Sequence, residues 1–115
     1  MKVLDLFCGC GGMSQGLKEA GLDVIMGIDH WDKAIESYQA NQKHRTLCAD
    51  LRQVDPASLE LPEVDIIVGG PPCQGFSMAG KRESNDPRNS LFMEYVRFLD
   101  YFNPKAFVME NVMGI

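Results

Sequence analysis

The segment 68–77, VGGPPCQGFS, decides how the rest of this sequence is interpreted. It continues an apolar run, 65–68, that is typical of a buried strand, and two glycines end that strand. Two successive prolines then fix φ and remove two backbone donors, so the chain leaves the strand on a stiff path. A loop rich in glycine, serine and basic residues follows Cys73. This arrangement indicates a positioned thiol nucleophile, although a small buried cysteine would show the same local pattern.

Length and composition limit the possible classes of protein. A chain of 115 residues forms at most one small domain, and its 45% hydrophobic content is enough to build a core. The net charge of −5 argues against a dedicated nucleic-acid surface, although Lys81, Arg82 and Arg88 cluster after the cysteine loop. No apolar run is long enough to cross a membrane and no signal-peptide pattern is present, so we expect a cytoplasmic protein.

The cysteines and histidines do not form a metal-binding pattern. Cys8 and Cys10 have the wrong spacing for the usual zinc hairpin, and the two histidines, His30 and His44, belong to no ligand motif. Nothing in the sequence points to secretion, so disulfides are not expected either.

Apolar runs alternate with amphipathic segments along the chain, which predicts a doubly wound α/β fold. The predicted strands are 2–7, 22–28, 45–49, 65–68 and 105–109. The predicted helices are 13–20, 31–41 and 87–102, with one further helical turn near Pro56. Gly21 is expected to end the first helix, Asp86-Pro87 to begin the third, and Asn103-Pro104 to stop it. The alternation predicts a parallel sheet. If its strand order is 3-2-1-4-5, the strands that precede Cys73 and Glu110 are adjacent.

Candidate functional residues follow the carboxyl ends of the predicted strands, where ligands bind in open parallel sheets. The glycine-rich turn 8–12 follows the first strand, as in nucleotide-binding βαβ units, and Asp29 ends the second, where ribose hydroxyls are held. Asp50, Cys73 and Glu110 follow the third, fourth and fifth strands. Asp29 also suits a helix cap, Asp50 a turn, and Glu110 the edge of the sheet. A thiol beside a carboxyl group, however, suits covalent attack on an electron-poor ring whose nitrogen the carboxyl group protonates.

These motifs resemble the N-terminal part of the catalytic domain of cytosine-C5 DNA methyltransferases. The similar segments are DLFCGCGG at 5–12, DHW at 29–31, DL at 50–51, GPPCQGFS at 70–77 and ENV at 110–112. The Pro-Pro-Cys and Glu-Asn-Val signatures are specific, whereas the glycine turn alone is weak. The resemblance implies an incomplete Rossmann-like fold and an enzyme that depends on S-adenosylmethionine. It also implies a protein of the prokaryotic restriction–modification type that associates with DNA.

The resemblance also implies residue roles. Cys73 would attack C6 of a cytosine flipped out of double-stranded DNA, Glu110 would engage N3 and the exocyclic amine, and C5 would take the methyl group. The implied cofactor-binding residues are Phe7, Gly9, Gly11, Gly12, Asp29, His30, Asp50 and Leu51. The implied substrate loop contains Pro72, Gln74, Ser77, Lys81 and Arg82. The resemblance implies that His30 lies against adenine. The family often has a larger apolar or aromatic residue at this position, so stacking on adenine would either pass to Trp31 or be weaker.

Residues 1–115 are therefore expected to be the N-terminal part of a catalytic domain. The later catalytic arginine, the target-recognition region and the C-terminal helix of the family have no counterpart here, so a C-terminal half or a second subunit is an expected partner. Three alternatives remain open. They are a partial module that binds the cofactor or a partner chain without turnover, a related RNA cytosine methyltransferase, and a nicotinamide-dependent oxidoreductase. The last lacks the third glycine of the usual motif, where this chain has Ser14.

Overall fold

The computed structural model describes residues 1–72 and 90–110. In chain order their helices and strands are β1 (Lys2–Leu6), α1 (Gly12–Glu19), β2 (Asp23–Asp29), α2 (Asp32–Asn41), β3 (Arg45–Cys48), β4 (Ile66–Gly69), α3 (Ser90–Phe102) and β5 (Ala106–Met109). Two short 3₁₀ turns, Leu51–Gln53 and Pro56–Leu59, connect β3 to β4.

All strand pairs in the sheet are parallel, and the strand order is β3-β2-β1-β4-β5. The predicted α/β class is confirmed, and β4 and β5, which precede Cys73 and Glu110, are adjacent. In the register, Leu6 at the end of β1 lies opposite Ile28 of β2 and Gly69 of β4, and Gly69 lies opposite Met109 of β5. The carboxyl ends of these strands therefore form one edge of the sheet.

Helices cover the sheet on both faces because β1, apart from Lys2 and Asp5, and β4 consist of apolar residues. On one face Leu4, Leu6 and Ile67 pack with Tyr95 and Phe98 of α3. On the other face Val3, Val24 and Val68 pack with Met13 and Leu17 of α1. Alternating strand residues thus enter two separate cores, as expected for interior strands of a parallel sheet.

Element boundaries differ from the sequence prediction by about one residue at most ends, except in the connection between β3 and β4. That connection contains two 3₁₀ turns instead of one. Each begins at an aspartate, because the Asp50 side chain accepts a hydrogen bond from Arg52 N and the Asp55 side chain accepts one from Ala57 N. The expected start of α3 at Asp86-Pro87 lies outside the described residues.

The predicted ends of α1 and α3 are confirmed. Gly21 follows α1 with φ +90°, its N–H donates to Lys18 O, and the next N–H, of Leu22, donates to Leu17 O. This is the paired hydrogen bonding of a Schellman motif, which glycine accommodates without a Cβ clash. α3 ends at Phe102, and Asn103 takes the left-handed conformation with φ +47°. No helix in the described part of the chain is long and apolar enough to span a bilayer.

Candidate active site

The glycine-rich turn joins β1 to α1 in a backbone conformation with three left-handed residues. Phe7, Gly9 and Gly11 have φ of +54°, +56° and +99°. Only Phe7 among them bears a side chain, so its backbone is strained unless its surroundings hold it. Cys8 N donates to Ile28 O of β2, and Gly11 N donates to Cys8 O. These bonds attach the turn to the neighbouring strand and close it before α1 begins.

The glycines of the turn serve different purposes. A Cβ on Gly11 would lie 2.9 Å from the Tyr38 ring, so this position requires glycine for packing against α2 as well as for its backbone angle. A Cβ on Gly9 or Gly12 would meet open space. Gly9 and Gly12 therefore leave room at the turn, and Gly12 is the first residue of α1.

Asp29, at the end of β2, is held from both sides by backbone donors. Its Oδ2 accepts a hydrogen bond of 2.9 Å from Gly9 N, and its Oδ1 accepts one of 2.9 Å from Trp31 N. His30 Nδ1 lies 3.7 Å from the same Oδ1. Each carboxylate oxygen retains acceptor capacity for a further donor, because an ionised carboxylate offers about four lone-pair sites.

A small cavity of about 40 Å³ opens beside Asp29. Its lining residues are Phe7, Ile28, Asp29, His30, Ala49, Asp50, Leu51, Arg52 and Leu91. Apolar side chains form its walls and two carboxylates stand at its border, as in many small-molecule sites. The structure therefore brings together five of the residues that were predicted to bind a cofactor. His30 borders this cavity, whereas Trp31 lines neighbouring cavities.

Asp50 is engaged by a residue that the sequence analysis did not identify. Arg52 donates to Asp50 through its backbone N–H at 2.9 Å and through its guanidinium, with a shortest distance of 2.7 Å between Nη2 and Oδ2. The hydrogen bond from the Arg52 side chain is the main reason that the pKa of Asp50 is lowered. Asp50 is therefore an ionised acceptor whose orientation Arg52 fixes.

Arg97 of α3 supports the same side of the cavity. Its Nη2 donates to the backbone oxygens of Leu51 and Val54, at 2.8 and 2.9 Å, and its Nε donates to Glu94 at 2.6 Å. The guanidinium thus attaches the first 3₁₀ turn to α3. Sequence reasoning missed this role because an arginine on the polar side of an amphipathic helix usually faces solvent.

A second cavity, of about 350 Å³, extends from the first toward the proline segment. It shares Phe7, Asp29 and His30 with the first cavity and adds Trp31, Gly70 and Pro72 to its lining. The predicted cofactor residues and Pro72 thus border one continuous stretch of the sheet edge.

Glu110 lies against the backbone that leads into the proline pair. Its N–H donates to Gly69 O at 3.0 Å, and its Oε2 is 2.6 Å from the point where a Cβ on Gly70 would stand. Glycine at position 70 therefore allows the carboxyl group to approach the chain immediately before Pro71 and Pro72. Cys73, Gln74, Ser77, Lys81 and Arg82, which were predicted to form the nucleophile and its loop, lie outside the described residues.

Within residues 1–72 and 90–110 no group of three or more His, Cys, Asp or Glu side chains is arranged to hold a metal ion. The parallel sheet, the glycine-rich turn and the cavity at the carboxyl edge together define a Rossmann-like α/β domain of the methyltransferase type.

The comparisons identify the family within that class. Residues 1–115 match the model of the C-5 cytosine-specific DNA methylases, and the chain belongs to this family. It is 48% identical to the Type II methyltransferase M.DdeI of Desulfomicrobium norvegicum over 118 residues, which cover all of this chain and 28% of the relative. It is 42% identical to the Type II methyltransferase M.HgiGI of Herpetosiphon aurantiacus, covering 97% of this chain and 90% of that relative.

Solved structures of methyltransferases share the fold. A structure described as a DNA modification methyltransferase encoded within an E. coli prophage superposes with a TM-score of 0.85 at 35% identity, covering all of this chain and 33% of that one. The S. pombe Dnmt2 methyltransferase superposes with a TM-score of 0.77 at 28% identity, covering all of this chain and 37% of that one. The chain thus spans about a third of these structures, and 28–33% of M.DdeI, M.AgeI and M.FnuDI. The family predicted from the motifs is confirmed.

Proposed function

We propose that this chain is the cofactor-binding and nucleophile-bearing part of an enzyme that transfers a methyl group from S-adenosylmethionine to C5 of cytosine in double-stranded DNA. One observation carries the proposal: the cavity with two carboxylates at its border and the Glu110 carboxyl group beside the proline segment occupy the same edge of the sheet. Membership of the C-5 cytosine-specific DNA methylase family supports it.

The residues around the first cavity fit the adenosine part of S-adenosylmethionine. Phe7 and Leu51 offer apolar surface to the base, and Asp29 offers acceptors to the ribose hydroxyls. Asp50, held by Arg52, offers an acceptor to the adenine amino group. When bound, S-adenosylmethionine supplies an electrophilic methyl group.

The remaining chemistry belongs to Cys73 and Glu110. The Cys73 thiolate adds to C6 of cytosine, which makes C5 nucleophilic. Glu110 hydrogen-bonds N3, so the negative charge that the addition places on the ring is stabilised. Transfer of the methyl group to C5 would leave its former carrier as a neutral thioether. Removal of the C5 proton by a base or water, with cleavage of the sulfur–C6 bond, then restores the aromatic ring and the Cys73 thiolate. The target base must leave the helix because stacking blocks access to C6. Lys81 and Arg82 would contact phosphates beside the flipped base.

A duplex that carries 5-fluorocytosine tests this function. The fluorine cannot leave as a proton does, so the Cys73 adduct should persist when S-adenosylmethionine is present, and peptide mass spectrometry should locate it. Cys10→Ala and Cys48→Ala, which alter exposed free thiols, are matched controls that should retain the adduct. An adduct formed by Cys73→Ala would contradict the assignment.

The substrate and the need for a partner are tested in the same experiment. An RNA duplex of the same sequence should give much less adduct than DNA. The reaction should be run with and without cell extract, which would supply a second subunit. If S-adenosylmethionine binds but neither arm gives an adduct, the chain is a binding module without turnover.

Glu110→Gln separates the acid–base step from binding. The transfer rate should fall by roughly two to four orders of magnitude, the usual contribution of a positioned acid or base. The dissociation constant for S-adenosylmethionine should remain nearly unchanged, because Glu110 does not line the cavity beside Asp29. A comparable loss of cofactor affinity would contradict the proposed division of roles.

A further inference from the structure

Four polar side chains form a continuous chain of hydrogen bonds beneath the glycine-rich turn. Ser14 Oγ donates to Asp5 Oδ2 at 2.6 Å and lies 2.8 Å from the Tyr38 hydroxyl, which in turn contacts His44 Nε2. Asp5, Ser14 and Tyr38 are at most 2% exposed. This polar chain lies beside the cavities of the candidate site and lines none of those described.

The number of available protons determines which atom donates in each of these hydrogen bonds. Because Ser14 donates its single proton to Asp5, it must accept the proton of Tyr38. Tyr38 must then accept from His44, which requires a proton on Nε2; in a neutral imidazole this is the Nε2–H tautomer. Burial, together with nearby Lys18, lowers the pKa of His44 and favours this neutral form. The buried end of the chain is therefore the acceptor, Asp5.

The chain closes the glycine-rich turn mechanically. Asp5 lies on β1 before the turn and Ser14 lies in the first turn of α1 after it, so their hydrogen bond joins the two ends. The Tyr38 ring fits between two glycines. A Cβ on Gly11 would be 2.9 Å from the ring, and one on Gly27 would be 2.6 Å from the hydroxyl oxygen. The position of Tyr38 and the path of the turn therefore depend on each other.

Keeping a carboxyl group at this position lowers stability. Burial is the main reason that the pKa of Asp5 is raised to about 6, and the neighbouring Asp29 adds to the effect while the Ser14 hydrogen bond opposes it. Replacing buried charges by apolar residues is often neutral or stabilising. Residues that lower the stability of the fold are found most often at functional sites, so the cost of burying Asp5 beside the glycine-rich turn indicates a functional role.

We propose that Tyr38 is a positioning residue that acts through Ser14 and Asp5 to hold the glycine-rich turn in the backbone conformation that binds S-adenosylmethionine. The inference rests on the cofactor assignment of the proposed function. Tyr38 lines none of the described cavities, so it acts on the cofactor only through the turn.

Two tyrosine variants make a matched test. Tyr38→Phe removes only the hydroxyl and leaves the ring between the glycines. Tyr95→Phe removes another fully buried hydroxyl, whose single proton lies between Val108 O at 2.8 Å and Ile67 O at 3.2 Å, away from the turn. Both variants should lose similar thermal stability. Tyr38→Phe should raise the dissociation constant for S-adenosylmethionine about tenfold, the consequence of losing roughly one hydrogen bond, whereas Tyr95→Phe should leave it unchanged.

The pH dependence provides a readout that a merely structural role would not change. Titratable groups that face the chain are Asp29, Cys8, Lys18, Asp23 and Tyr95. All of these groups are the same in wild type and Tyr38→Phe. The ratio of the S-adenosylmethionine dissociation constants of the two proteins therefore reports on the hydrogen bonds that join Tyr38, Ser14 and Asp5. The ratio should be about tenfold at pH 8 and approach one at pH 5, because a neutral Asp5 is a weaker acceptor. A constant ratio would overturn the proposal.

Amide hydrogen exchange of residues 8–12 in the protein without ligand tests the positioning role of Tyr38 separately from the proposed binding of S-adenosylmethionine. Exchange should accelerate in Tyr38→Phe and not in Tyr95→Phe. If wild type fails to bind S-adenosylmethionine, the proposed function fails, but this exchange measurement still tests the positioning of the turn. Equal exchange and equal affinity in the two variants would refute the role of Tyr38.

Discussion

Replacing Asp5 by asparagine is expected to stabilise the protein at neutral pH. The pKa of Asp5 is raised from 3.8 to about 6, chiefly by burial. Between about pH 4 and pH 6 the folded protein therefore keeps a proton on Asp5 that the unfolded chain has released. Stability therefore falls as the pH rises through this window, and the full penalty is present at pH 7. About two pKa units correspond to about 3 kcal/mol.

The gain from Asp5→Asn should be somewhat smaller than that penalty. The asparagine oxygen can still accept the Ser14 hydrogen bond, but its NH₂ group brings two donors into a site that is 2% exposed. We expect the free energy of unfolding at pH 7 to rise by about 1–3 kcal/mol. At pH 4 the two proteins should differ much less, because Asp5 is protonated there in the folded state.

Urea unfolding followed by far-UV circular dichroism between pH 4 and pH 7.5 measures this difference. Asp65→Asn is a control of opposite sign. Asp65 accepts from Lys2 N and pairs with Lys105, which lowers its pKa, so its charge stabilises the fold above about pH 4 and its loss should destabilise the protein at pH 7. Parallel pH profiles for wild type and Asp5→Asn would refute the reasoning, because they would show that Asp5 carries no buried charge.

Three further variants test other parts of the structure. Gly70→Ala places a methyl group 2.6 Å from Glu110 Oε2, so the methyl-transfer rate should fall about 100-fold with unchanged cofactor affinity by calorimetry; an unchanged rate would argue against a catalytic carboxyl at this point. Arg97→Met removes the guanidinium donor from Val54 O and from Leu51 O, which still accepts from Val54 N, and should cost about 1–2 kcal/mol in urea unfolding, with partial recovery in Arg97→Lys; equal stability of all three proteins would contradict this. β5 is an edge strand with exposed apolar side chains, so the chain should self-associate at micromolar concentration in sedimentation and Val108→Lys should reduce this; a monodisperse wild-type monomer would contradict it.

Local patterns were sufficient to predict the fold and the edge at which the site lies. The alternation of apolar runs and amphipathic helices implies parallel strands, since each crossover returns the chain to the same end of the sheet. Asp29, Asp50 and Glu110 could therefore be assigned to one edge before their contacts were known. The family could be predicted in the same way, because the segments at 5–12 and 70–77 are contiguous in sequence.

The contacts that define the site depend on residues far apart in the chain. Arg97 donates to the carbonyl of Leu51, 46 positions away, and Tyr38 meets Ser14, 24 positions away. Periodicity predicts which side of a helix faces the sheet, but it does not predict which of several polar atoms comes within hydrogen-bond distance of another.

The glycines show the same division between sequence and structure. The sequence indicated a turn at residues 8–12 and the end of a strand at 69–70, because glycine permits both. Only the tertiary structure shows that Gly11 makes room for the Tyr38 ring and that Gly70 makes room for the Glu110 carboxyl group. Secondary structure follows from short-range backbone preferences, whereas the space that a Cβ would need at these glycines is decided by how α2 and β5 pack against the rest of the chain.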